Sequence, residues 1–183
     1  MKNLKEILDP AKDFYSMRYG KKGELILFIV VPISIGFFFL IFDHLLYTTR
    51  DFSLDSFVVD FINQLITMLT LFISFSMAYL SLIITSSSEN INNLKNTESE
   101  EYRLKKSRKG CTLYQVIVCE ITYTLVIEII FLLIIFFQKF VMYMSCDIVL
   151  KIVIALDITL LVHVLLVLMI TIKDIYYSFW KSE

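Results

Sequence analysis

Hydrophobic residues fall into four long blocks along the chain. Leu25–Phe42 is interrupted only by Pro32, Ser34 and Gly36, and Phe61–Ile84 is dotted with hydroxyl residues. Leu113–Phe137 carries two glutamates, and Ile148–Ile172 carries a lysine, an aspartate and a histidine. A hydrocarbon core of about 30 Å needs about 20 helical residues to cross it. A spanning backbone must also satisfy its own hydrogen bonds, so each block predicts a transmembrane helix. The ten-residue alternation of a membrane barrel is absent. The predicted fold class is all-α: an integral membrane four-helix bundle with an amphipathic N-terminal helix and a helical cytoplasmic loop.

The residues outside the blocks divide into an N-terminal segment, 1–23, and the connections of a membrane domain, 24–183. In the first, Leu4, Ile7, Leu8, Ala11, Phe14 and Tyr15 fall on one helical face with lysines elsewhere, the pattern of a helix lying on a membrane. Asp9-Pro10 suits a helix start. The segment reads as a topology-setting anchor or, more sharply, a docking surface. The long connection, 85–112, opens with Ser86-Ser87-Ser88-Glu89, hydroxyl caps followed by acid. Its apolar residues are sparse (Ile91, Leu94, Leu104), with acid at Glu98, Glu100 and Glu101. Base follows at Arg103, Lys105, Lys106, Arg108 and Lys109. This predicts a solvated helical hairpin with a basic stop-transfer flank, or an electrostatic docking site for a cytoplasmic partner.

Lys and Arg set membrane orientation. Fourteen of the 17 lie in the N-terminal segment, the 85–112 loop or the tail 173–183, against Arg50, Lys139 and Lys151 on the other side. Both termini and the long loop are therefore expected in the cytoplasm. The first block is too long for a signal-peptide core and begins after residue 20, which argues for a retained span.

Polar residues inside the blocks narrow the picture. In the second block Asn63, Thr67, Thr70, Ser74, Met77 and Ser81 recur at spacings of four and three, a heptad stripe. Small and polar residues support close helix approach in lipid, so the stripe predicts a helix–helix or oligomer interface, with a pore lining as the alternative. Buried ionisable groups in a membrane usually face protein, which makes Glu120, Glu128, Asp157 and His163 a candidate polar network. Counting helical rise, Glu128 is expected level with Asp157, and Glu120 close to His163 as a neutralising pair if their faces meet. Proton or ion relay is the functional competitor.

Composition adds exclusions. The 183 residues are 57% hydrophobic and 19% charged with a net charge of −1, which excludes soluble classes and predicts no direct nucleic-acid partner. Cys111, Cys119 and Cys146 form neither a disulfide framework nor a zinc motif. No catalytic, cofactor or metal-binding motif is present, so no catalytic, cofactor-binding or metal residue is assigned.

Four spans with both ends inside, a charged loop running from Ser86-Ser87-Ser88-Glu89-Asn90-Ile91 to Leu94-Lys95, and no catalytic motif resemble one family. It is the membrane subunit of the bacterial Kiwa anti-phage system, the KwaA family. The resemblance implies a non-enzymatic homo-oligomer, with a tetramer favoured, in the bacterial inner membrane. It further implies a sensor or scaffold that detects an envelope event and signals to a cytoplasmic DNA-binding protein. The competing expectation is a small ion- or proton-conducting pore, with the stripe lining water and Glu128 as its selectivity or proton site.

Overall fold

The computed structural model describes residues 7–18, 21–47, 54–103, 110–142 and 147–180. Helices α1 (Asp9–Met17), α2 (Lys22–Tyr47) and α3 (Leu54–Thr85) are followed by the short α4 (Glu89–Asn96). Strands β1 (Glu98–Arg103) and β2 (Gly110–Thr112) come next, then α5 (Leu113–Met142) and α6 (Asp147–Trp180). Four helices are long and apolar enough to cross a membrane: Lys22–Phe42, Phe57–Thr85, Leu113–Phe140 and Ile148–Tyr177. Each block read from the sequence falls inside one of them. The chain is a multi-pass membrane protein.

Apolar side chains hold the long helices together. Val58, Ile62, Leu65 and Leu69 of α3 meet Phe131 and Ile135 of α5 and Leu150, Ile154 and Val164 of α6. Helix α2 lies against α6, with a close approach at Gly36. A Cβ there would stand 2.0 Å from Thr159 Oγ1 and 2.7 Å from the Ala155 carbonyl oxygen, so glycine is what lets these two backbones meet.

Pro32 sits inside α2. It has no N–H to give the carbonyl four residues earlier, which is that of Phe28. His163 of α6 fills the vacancy, with Nδ1 2.9 Å from the Phe28 carbonyl oxygen. A neighbouring helix thus satisfies the backbone group that proline frees, as a spanning helix requires.

The expected helical cytoplasmic loop is corrected in its second half. The first half is the helix α4: Ser88 caps it by accepting from the Ile91 N–H at 3.4 Å, and Ile91 and Leu94 bury against Ile83, Ile117 and Ile121. After Asn96 the chain forms an antiparallel two-stranded ribbon, with Glu98 opposite Thr112, Arg103 opposite Gly110, and an irregularity between. Charged residues give this stretch no helical apolar stripe. What organises it is the burial of Tyr102 and Cys111 against Met17 and Val116, a tertiary contact that local pattern does not encode. Helix α1, expected to be amphipathic, turns its apolar face to α5: Phe14 is fully buried and stacks on Tyr123 with centroids 3.9 Å apart.

Candidate functional site: a charged end cluster and the intramembrane polar residues

At the end of the long helices that carries α1, α4 and the ribbon, Arg18 is completely buried. Its position follows from the α1 periodicity, which puts Phe14, Met17 and Arg18 together on the buried side. The guanidinium pairs through Nη2 with Glu120 Oε1 of α5. Its Nε lies 3.3 Å from Glu24 Oε2 of α2, and Nη1 donates to the Phe14 carbonyl at 3.4 Å. Three rings enclose it, with centroids 3.9 Å (Phe14), 5.0 Å (Tyr102) and 5.6 Å (Phe28) from Cζ. Arginine suits such a site because its planar cation both forks onto carboxylates and stacks on aromatic faces.

Tyr102 joins the ribbon to this cluster. Its hydroxyl lies 3.2 Å from Asp174 Oδ2 of α6 and 3.5 Å from Glu24 Oε2 of α2. Burial, followed by the Asp174 carboxylate, pushes the Tyr102 pKa up from its ordinary value, so the hydroxyl stays a donor at neutral pH. Lys21 Nζ pairs with Glu24 Oε1 at 3.2 Å and lies 4.2 Å from the Tyr102 ring centroid. Lys173 Nζ pairs with Asp174 Oδ1 at 3.0 Å. Arg18 thus supplies the cation that the buried Glu120 requires, and Lys21 and Lys173 balance the partly exposed Glu24 and Asp174.

A second chain of contacts runs from α1 into the membrane. Only acceptance is open to the Phe28 carbonyl, so His163 Nδ1 carries the proton. In a neutral ring Nε2 then accepts from the Tyr123 hydroxyl at 2.8 Å, and Tyr123 in turn accepts from Tyr15 at 2.9 Å. Each polar atom in this path has a partner.

The four intramembrane residues expected to form one network fall into four separate settings. Glu120 takes Arg18 as its cation, and His163 takes Tyr123 and Phe28, so the expected Glu120–His163 pair is replaced by two separate arrangements. Glu128 is bonded by the Ser76 hydroxyl of α3 at 3.3 Å, and Asp157 by the Gln138 amide of α5 at 3.0 Å. Both acids are fully buried. The expected common level of Glu128 and Asp157 produces no shared contact: Gln138 lies ten residues beyond Glu128 on the same helix, about 15 Å by helical rise.

The stripe residues Asn63, Thr67, Thr70, Ser74, Met77 and Ser81 are all exposed on α3. At 100° per residue the stripe lies roughly 135° from the face bearing Ile62, Leu65, Leu69 and Ser76. Three hydroxyls donate back to their own helix: Thr67 to Asn63, Thr70 to Ile66 and Ser74 to Thr70, at 3.0, 2.7 and 2.8 Å. The amides of Asn63 and its exposed neighbour Gln64 lie at the other end of this surface. Arg103 closes β1 with its side chain outside the described part, and Lys105, Lys106, Arg108 and Lys109 lie outside the described residues.

Arg18, Tyr102, Tyr123 and Gln138 were not singled out as site residues from sequence. Pro32 offered one usable signal, since a proline inside a span marks a carbonyl that a neighbour must satisfy. No cluster of metal-ligating residues occurs among the described residues. No protein-family model, curated protein or solved structure matches the chain.

Proposed function

We propose that this protein is a non-enzymatic, homo-oligomeric sensor or scaffold of the bacterial inner membrane, serving an anti-phage defence system. In this reading both termini are cytoplasmic, and the protein passes an envelope event to a soluble DNA-binding partner. The observation that carries it is the asymmetry of the described elements outside the spans. Helices α1 and α4 and the β1–β2 ribbon all gather at one end, where Arg18 and Tyr102 tie α1 and the ribbon to α2, α5 and α6 and α4 packs on α3 and α5. A rearrangement of the spans is therefore felt directly by the surface a soluble partner would touch. The outward stripe on α3 supports self-association, because polar side chains in lipid favour contact with another helix. The resemblance to the KwaA family supplies the biological setting.

Affinity purification of the tagged full chain in mild detergent tests this reading. An oligomer with a stoichiometric soluble protein is the expected result; a monodisperse monomer without partner contradicts it. The conducting pore is the competing reading. The exposed stripe supports a water-lined surface between copies, whereas Glu128 is enclosed with Ser76 away from that surface. Liposomes containing the purified protein that leak ions in steady state would favour the pore.

A further inference from the structure

We infer that Tyr102 is a conformational latch: docking of the β1–β2 ribbon depends on the spacing between α2 and α6 at the ribbon end. The argument begins with geometry. Tyr102 is 3% exposed, and its hydroxyl lies between Asp174 of α6 and Glu24 of α2. Its ring faces the guanidinium of Arg18 and the ammonium of Lys21. A buried phenol needs a hydrogen-bond partner, and both acceptors here belong to different spanning helices. Helices α2 and α6 run antiparallel, as the successive contacts Gly36–Thr159, Phe28–His163 and the shared Tyr102 bridge between Glu24 and Asp174 show. The single hydroxyl proton is shared between the two carboxylates, 3.2 Å from Asp174 and 3.5 Å from Glu24. Were the helix ends to part, the hydroxyl would stay with one and no longer join the two helices. The ring would also lose part of its cationic enclosure. The ribbon, whose other buried side chains among the described residues are Cys111 and Ser99, would then be held less tightly. Span spacing is thereby converted into ribbon mobility.

The inference deepens the proposed signalling role, yet its test needs no partner, so the two can fail separately. The full chain in lipid nanodiscs would be followed by hydrogen exchange of the amides in 98–103 and 110–112. Tyr102→Phe keeps the ring and removes only the bridge, and Asp174→Ala removes the acceptor on α6. Each is expected to accelerate ribbon exchange about tenfold, the scale of one buried hydrogen bond to a charged group. The double variant should be no faster than the faster single. Gly36→Ala drives a methyl between the same two helices far from the ribbon. It should speed ribbon exchange when Tyr102 is intact and add nothing in Tyr102→Phe. Unchanged ribbon exchange in Tyr102→Phe, multiplicative effects in the double variant, or a Gly36→Ala effect equal in both backgrounds or absent from both would overturn the latch.

Discussion

Acidic residues occupy two contrasting environments. At the ribbon end, Glu24, Glu120 and Asp174 share a site with Arg18, Lys21, Lys173 and the Tyr102 hydroxyl. Deeper in the spans, Glu128 and Asp157 each have one neutral donor, Ser76 or Gln138, and no ion-pair partner among the described residues. The first arrangement binds five elements together: the end of α1, α2, α5, α6 and the ribbon. The second joins helices two at a time. Fixed charge therefore belongs to the region that links spans to extramembrane surface, whereas the deep acids act as hydrogen-bonding groups between neighbours.

The largest way to break this contrast is to strip the end cluster of its cation. Arg18→Met leaves Glu120 buried without its partner, and the expected loss is about 3–5 kcal/mol, read by reversible unfolding in detergent micelles. Next is the carbonyl freed by Pro32. His163→Ala should cost about 1–3 kcal/mol by leaving the Phe28 oxygen and the Tyr123 hydroxyl short of partners. Pro32→Ala in that background restores an N–H to Phe28 and should recover part of the loss in the same assay. Smaller still are Glu128→Gln and Asp157→Asn. Because their partners are neutral, each amide isostere should cost under about 1 kcal/mol; a loss matching that of Arg18→Met would erase the distinction between the two environments. Smallest for the single chain is Thr70→Leu with Ser74→Leu on the exposed stripe. Unfolding should change by less than about 0.5 kcal/mol, while native mass spectrometry should show a reduced oligomer.

The spans were legible in the sequence because crossing a bilayer imposes length and composition on each segment separately. The cap at Ser88 was legible for a similar reason, since capping is local. What escaped was mutual orientation. Depth counted along a helix placed Glu120 near His163 and Glu128 near Asp157, but helix rotation, tilt and side-chain reach decide who meets whom. Arg18 illustrates the limit: among six basic residues preceding the first span nothing local separates it from its neighbours. Only the docking of Phe14 against Tyr123 carries it inside. Phe14 and Tyr15 read only as part of the apolar face of the N-terminal helix for the same reason, and the ribbon was hidden because Tyr102 owes its burial to α1 and α5 rather than to the residues beside it. The stripe stood out as a pattern, and the fold leaves it on the surface of the single chain.

The most direct measurement is a double-mutant cycle on Arg18 and Glu120, using Arg18→Met, Glu120→Leu and the pair, with unfolding free energy as the readout. If the end cluster is a charge-paired joint between α1 and the spans, Arg18→Met strands the buried Glu120, whereas Glu120→Leu leaves Arg18 with Glu24 alone. The double variant then loses clearly less than the sum of the two singles and is more stable than Arg18→Met. Additive losses, with the double variant less stable than Arg18→Met, would contradict it.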